Sequence, residues 1–391
     1  MNKAKVIGVG MVPFVKPGRH DPYEVMAGKA ICAALADAGI DYAHVEQAYA
    51  SYVYGDSTCG QTALYGVGMS GIPVINVNNN CSSGSTALFL ARQAVESGAV
   101  ECALAFGFEE MRAGALGTAW DDRTSPLDLF DQKLNALYPS APAAPIALRV
   151  FGAAANEYLA NTGADPDIFA KVAVKTRRHA INNPYALFTQ TLTVDDVMTA
   201  PIIYPDYLTR LEACPPSCGA AAVIVASAGF ARRHGLRNAV TIRAQTMATD
   251  RPASFTSAIN LVGADMTRRA AAAAFEQAGL AREDIQVVEL HDCFTPNEVI
   301  SYEALGLCEE GGAEDFIDRA DNTYGGKYVV NPSGGLMSKG HPLGATGLAQ
   351  CTELVWQLRG AAGARQVDGA RFALQHNLGL GGAVVVTLYE A

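Results

Sequence analysis

Charge is scarce in this sequence, and positive charge scarcest. Of the 391 residues 17% are charged, and 29 lysines and arginines face 39 acidic side chains, a net charge of -10. That deficit argues against a general nucleic-acid or anionic-membrane surface, which needs clustered cations; a local basic pocket for an anionic ligand stays open. No run of about eighteen apolar residues occurs, so no membrane span is expected. The opening MNKAKVIGVGMVPF goes straight into strand-like alternation rather than forming a leader, and the closing LYEA is no peroxisomal address. Nine cysteines, an odd number without framework spacing, point to reduced thiols and a cytoplasmic location. What is there is half apolar and long enough for two or three domain-sized cores.

An internal repeat organises the chain. Ala30 to Ser51 (AICAALADAGIDYAHVEQAYAS) and Ala270 to His291 (AAAAAFEQAGLAREDIQVVELH) align at one constant offset, with Ala38-Gly39 falling on Ala278-Gly279 and Val45 on Ile285. Each copy reads as an Ala-rich helix, a glycine stop and a strand. Cys81-SSGSTALFLARQAVESG and Gly344-ATGLAQCTELVWQLRG form a second pair of turn-then-helix segments, with Gly84 matching Gly347. Gly219-AAAVIVAS and Gly382-AVVVTLYE form a third, each a glycine leading into a buried-looking strand. The chain is thus expected to be α/β, two halves of one design. The first half is interrupted between about Gly107 and Cys218, a gap of roughly 110 residues, far longer than ordinary connections. Ile146 to Asn161 and Asp165 to Asn182 read as helices within that insertion, an expected lid or ligand-binding subdomain. The expected division is residues 1–118 with 215–238, an insertion at 119–214, and 239–391. Two such halves place a site where their turns meet.

Four segments carry candidate chemistry. In PVINVNNNCSSGSTALFLARQ, a strand over Val74 to Val77 runs through three asparagines into Cys81 and then a helix. A cysteine at a helix N-terminus has its thiolate favoured by free N–H groups and the helix dipole, the layout of a nucleophile elbow; the alternative is a small buried core cysteine. In Asn331-PSGGLMSKGHPLGATG, His341 lies among glycines whose density means tight bends or close approach to a ligand, so it is placed as a base, with a capping histidine as the alternative. Ser333 and Gly334 of the same segment are expected to line the site. In Phe372-ALQHNLGLGGAVVV, His376 or Asn377 is expected to point inward and the Gly379 N–H to face an oxyanion. The fourth, Leu290-His291-Asp292-Cys293-Phe294, follows a strand by the repeat and emerges at the same end as the other turns. As a metal site it lacks ligands at recognisable spacing, and a polar bend is the simpler alternative.

These segments, in this order, resemble the thiolase superfamily over essentially the whole chain. HDCF (291–294), HN-x-G (376–379), NNNC, DNTYGGK, NPSGG and GHPLGATGLAQC are similar to the thiolase domain of the sterol carrier protein x type, with no sterol-carrier domain expected to follow. The resemblance implies a five-layer αβαβα fold, a homodimer or dimer of dimers, and reversible CoA-dependent cleavage of 3-ketoacyl-CoA to acetyl-CoA or propionyl-CoA plus a shortened acyl-CoA. It implies Cys81 as nucleophile, His341 as its base, and Cys293 in the acid/base role that ordinary thiolases give to a cysteine where this chain has Asn377. It implies His291 as a holder of a thioester oxygen, and the N–H groups of Cys81 and Gly379 as an oxyanion hole. Coenzyme A and acyl-CoA are the implied partners, with no resident cofactor and no metal.

Two departures or gaps remain. Cys218 stands where the family usually has an aspartate, so local hydrogen bonding is expected to differ there. The CoA phosphates need cations, for which KTRRHAINNPY offers Lys175, Arg177 and Arg178; a solvated helix face is the alternative reading of that cluster. A decarboxylating ketosynthase using Cys81, His291 and His341, and a thiolase-like scaffold that binds acyl-CoA without turnover, are the competing readings.

Overall fold

The repeat is physical at its turns. Gly39 and Gly279 end their helices, Tyr23–Ala38 and Ala264–Ala278, in the left-handed conformation at φ 67° and 65°. Glycine adopts it without a Cβ penalty. A single 3-10 turn follows each stop, Tyr42–His44 and Arg282–Asp284, and then a strand. The computed structural model describes residues 3–114, 117, 120, 122–140 and 142–391.

The first half contributes β1 (Lys5–Met11), β2 (Gln47–Ser51), β3 (Val74–Val77), β4 (Cys102–Glu109) and, after the insertion, β7 (Gly219–Ala226). The insertion holds a hairpin of β5 (Ile202–Tyr204) and β6 (Leu208–Thr209). The second half contributes β8 (Val240–Ala248), β9 (Val287–Glu289), β10 (Val329–Val330), β11 (Phe372–Gly379) and β12 (Ala383–Glu390). The strand order is β10-β9-β11-β12-β8-β1-β7-β4-β2-β3, so each half has the same internal order and the halves meet at β1 and β8. That seam is short, the antiparallel pairs Lys5–Thr241 and Val6–Val240. Strands β2, β3 and β4 run parallel, as do β9, β10 and β11, so the turns at their ends gather on one side of the molecule.

The two half-sheets and three layers of helices stack as five layers. Ser83–Glu96 and Leu343–Leu358 lie between the sheets, where Ala87, Leu88, Ala91 and Val95 of one pack with Ala345, Leu348 and Leu354 of the other and the inner faces of both sheets. Tyr23–Ala38 covers the outer face of the first sheet, and Ala264–Ala278 that of the second. The two central helices touch at their paired glycines: a Cβ on Gly84 would lie 2.9 Å from the Gly344 carbonyl, and one on Gly347 would collide with Ser85. That close approach sets the Cys81 turn beside the His341 turn.

The insertion grows from the first half yet packs on the second. Tyr158 Oη donates to Glu303 (2.6 Å), Lys171 pairs with Asp318 (2.7 Å), and Asn183 Nδ2 donates to the Ser333 carbonyl (2.7 Å). Its helices Ile146–Thr162 and Asp167–Ala180 bury Phe151, Ile168 and Phe169 in the core that also holds Cys293, Phe294 and Val299.

Candidate active site

The Cys81 turn is built by its asparagines and serines. Asn80 takes a positive φ of 51°, which asparagine tolerates better than most residues, and its Nδ2 donates to the Leu380 carbonyl across the halves (2.8 Å). Ser82 Oγ donates to Asn79 O (2.9 Å) and Ser83 Oγ to Asn80 O (2.6 Å), locking the bend that leads into the helix. Sγ of Cys81, one nitrogen of His291 and one of His341 all lie within 4.8 Å of one another.

The thiol differs from its expectation in one respect. The N–H groups of Leu380 and of Cys81 itself favour the thiolate, but burial dominates, Glu109 adds to it, and the group is pushed up to about 12. Desolvation outweighs the helix terminus, so the resting Cys81 is a neutral thiol, and it could attack only if a base took its proton. The N–H facing the sulfur belongs to Leu380, one residue beyond Gly379; Gly379 itself packs so closely on Ser82 that a Cβ would lie 2.7 Å from Oγ.

The imidazole beside that thiol is that of His341. Its N–H donates to Ser217 Oγ (2.9 Å), fixing the turn, and its Nδ1 meets Thr346 Oγ1 at 2.7 Å. The Thr346 hydroxyl spends its own proton on the Pro342 carbonyl (2.9 Å), so it accepts from Nδ1–H. The Nε2 lone pair is therefore free, and among the described residues this buried atom has no partner. Burial, helped by Lys339, holds the imidazole down to about 3, keeping it neutral.

The HDCF residues divide their tasks. Cys293 is buried, and burial together with Cys214, Cys81 and Asp292 keeps its thiol well above the ordinary range. Its carbonyl accepts from Cys214 N (2.9 Å), and Phe294 stacks on Phe151 of the insertion at 4.6 Å. Asp292 turns the other way: Oδ1 accepts from Leu336 N (2.7 Å) at the start of the short helix Gly335–Ser338, and burial pushes its carboxyl up to about 8. The His291 ring stands edge-on to His341, centroids 5.0 Å apart, with Nδ1 3.1 Å from Asn377 Nδ2.

Several expected residues lie elsewhere. On β11, neighbours face opposite sides: Asn377 meets His291, whereas His376 sits behind it, receiving the His291 N–H (3.4 Å) and meeting Thr267 Oγ1 (3.0 Å). Ser333 binds the buried Glu289 (Oγ to Oε2, 2.8 Å), and Gly334 backs on Ala180, so both support the loop rather than face the thiol. Lys175 is buried in an ion pair with Glu298 and donates to Tyr302 Oη (3.2 Å), leaving no charge free for a phosphate. Arg177 lies over the Phe188 ring at 4.1 Å, and Arg178 is exposed. Cys218, fully buried, donates to the Met111 carbonyl (3.5 Å).

Residues the sequence reading passed over hold the site together: Ser217, Thr346 and Glu109. Glu109, 1% exposed at the end of β4, accepts from Val53 N (3.1 Å), Tyr54 N (2.9 Å) and Gly344 N (2.9 Å), tying the His341 turn to the first half.

Comparison with known proteins decides the family. The thiolase N-terminal domain model matches residues 5–201 and the thiolase C-terminal domain-like model residues 249–388. The chain belongs to the thiolase family. This thiolase is 57% identical to sterol carrier protein 2 of Gallus gallus over 98% of its length and 71% of that protein. It is 54% identical to the Homo sapiens protein of that name, over 100% and 72%. At 34% it is similar to the acetyl-CoA acetyltransferase of Methanothermobacter thermautotrophicus, over the full length of both. Solved structures share the fold: an Ltp2-ChsH2(DUF35) aldolase at TM-score 0.83 and 23% identity over 100% of this chain and 98% of that one, and human mitochondrial 3-ketoacyl-CoA thiolase at 0.73 and 18% over 100% and 99%. No described helix is long and apolar enough to cross a membrane.

Proposed function

We propose that this thiolase cleaves 3-ketoacyl-CoA with coenzyme A, giving acetyl-CoA or propionyl-CoA and a shortened acyl-CoA. The observation that carries the reading is the unpartnered Nε2 of His341 beside the Cys81 thiol, with a second thiol, Cys293, in the same buried centre. His341 takes the Cys81 proton as the sulfur attacks the 3-keto carbon. The resulting oxyanion sits against N–H groups of the Cys81 turn and the Gly379–Leu380 turn. Each such donor is worth about 2.7–4 kcal/mol. Collapse breaks the bond between C2 and C3, and the departing enolate takes a proton from Cys293, whose high pKa keeps the proton in place until a strongly basic carbon needs it. His291 holds the thioester oxygen. Coenzyme A then gives its thiol proton back to Cys293, its sulfur displaces the acyl group from Cys81, and His341 returns the first proton. All steps reverse. The same assignment carries a homodimer, and the Gly379–Leu380 and Cys81 turns together serve the expected oxyanion role.

Exposure to acetyl-CoA followed by mass spectrometry tests the first step. An acetyl adduct on Cys81, absent from Cys81→Ala, is expected; a protein that stays unmodified is a scaffold, not an enzyme. The grouping of Cys81, His291 and His341 within 4.8 Å also suits a decarboxylating ketosynthase, which needs no second thiol, so Cys293→Ala separates the two readings.

A further inference from the structure

His291 can hold a thioester oxygen only if its free nitrogen carries a proton, and the structure determines where that proton sits. The determination starts at β12. Tyr389 Oη donates to Gln375 Oε1 (2.5 Å), which fixes the Gln375 amide. Its Nε2 then donates to the Gly347 carbonyl (2.6 Å) and to Ser85 Oγ (2.9 Å). Having accepted from Gln375, the Ser85 hydroxyl has its own proton for Asn377 Oδ1 (2.8 Å). Asn377 is thereby turned so that Nδ2 faces His291 Nδ1 at 3.1 Å. An amide N–H requires a lone pair opposite it, so Nδ1 is bare.

Every side chain in this relay is buried, Tyr389, Gln375, Ser85, Asn377 and His291 alike. Burial, with His341 and His376 nearby, holds the His291 imidazole well below its ordinary range, so the ring is neutral and carries one proton. With Nδ1 bare, that proton is on Nε2. The two histidines of the centre are then opposite tautomers: Thr346 leaves His341 a lone pair at Nε2, and Asn377 leaves His291 an N–H there.

We propose that Asn377, oriented by Ser85 and Gln375, is a positioning residue that locks His291 as the Nε2–H tautomer, a hydrogen-bond donor to the substrate oxygen and not a second base. Naming that acceptor a thioester oxygen rests on the thiolase reading; the tautomer does not. The relay also accounts for Asn377 at this place: an acid/base group here would compete with Cys293, whereas an amide can only direct a neighbour's proton.

Nitrogen NMR of histidine-labelled protein, with His291→Gln to assign the signal, tests this without any turnover. The Nε2–H form is expected for His291 in the unmodified chain. In Asn377→Asp the isosteric carboxylate can only accept, so the signal should move to the Nδ1–H form. Thiolysis in that variant should fall about 10²–10³-fold in kcat, the loss of one oxyanion donor, with KM little changed. Its residual activity should rise toward acid pH as His291 gains a second proton and recovers Nε2–H, a dependence a purely structural defect does not produce. Ser85→Ala should give a smaller loss of the same kind. An Nδ1–H His291 in the unmodified protein overturns the proposal, as does normal kcat in Asn377→Asp. Nε2–H in a chain that performs no thiolysis leaves the relay standing and removes the functional reading; thiolysis with an Nδ1–H His291 does the reverse.

Discussion

At Thr346 one hydroxyl decides which nitrogen of His341 can act as a base. The hydroxyl gives its proton to Pro342 and accepts from Nδ1–H, and replacing it with a methyl group of similar shape removes the acceptor. Thr346→Val should leave a buried N–H unsatisfied, about 1–3 kcal/mol, and lower kcat by about tenfold to a hundredfold, with Thr346→Ser restoring most of it. Steady-state thiolysis measures both; unchanged kcat in the valine variant would remove Thr346 from the account. Thr346, Ser217 and Ser85 were not legible in the sequence because a hydroxyl has no signature of its own: each gains its role from a partner brought by tertiary packing. Cys81, His341, His291 and Cys293 were legible as candidates because thiols and imidazoles among glycines at strand ends are uncommon without chemistry. The electrostatic state of Cys81 was not, since the dipole of its helix is local and visible in sequence, whereas the desolvation that outweighs it belongs to the assembled fold.

Strand ends and turns set the distances between these groups. Glu109 closes β4, and its carboxylate joins the turn after β2 to Gly344 in the first turn of the central helix Leu343–Leu358. Ser51 Oγ holds the Gly344 carbonyl from the same side (2.7 Å). Burial pushes the Glu109 carboxyl up to about 7, with Glu110 adding to the rise and the three N–H donors opposing it; Cys81, Cys218 and Tyr54 are its other titratable neighbours. A raised carboxyl contributes stability that is complete below the unfolded value, about 4.3, and is lost as pH rises through about 7. Glu109→Gln lacks this ionisation, so the stability difference between the two proteins should shift in favour of the variant from pH 5 to pH 8. Thermal melts at both values read it; a difference independent of pH contradicts the titration. The elements themselves were largely legible, because the repeat pairs two helix-stop-strand units residue for residue and a glycine leads into each of the matching strands β7 and β12. The hairpin of β5 and β6 was not, being three and two residues long, too short for a period to show.

Across the whole molecule, one duplicated design brings the turns of two halves to a common side, and the insertion closes over the second half although the first half carries it. The cluster KTRRHAINNPY shows what sequence proximity misses: it reads as cations for a ligand, yet Lys175 pairs with Glu298 and His179 Nδ1 meets the Asn331 carbonyl (3.0 Å), so much of it joins the insertion to the NPSGG loop. The periodicity of Asp167–Ala180 was readable; which face met solvent depended on a partner more than a hundred residues away. More than two hundred residues separate Cys81 from Cys293, and their meeting is what turns a polar motif after β9 into a proposed acid/base. CoA-dependent cleavage of acetoacetyl-CoA by the unmodified chain and by Cys293→Ala is the most direct test of that claim. The account predicts turnover in the first and a loss of about 10²–10⁴-fold in the second, the usual contribution of a positioned acid/base. Near-normal thiolysis without Cys293 would contradict it.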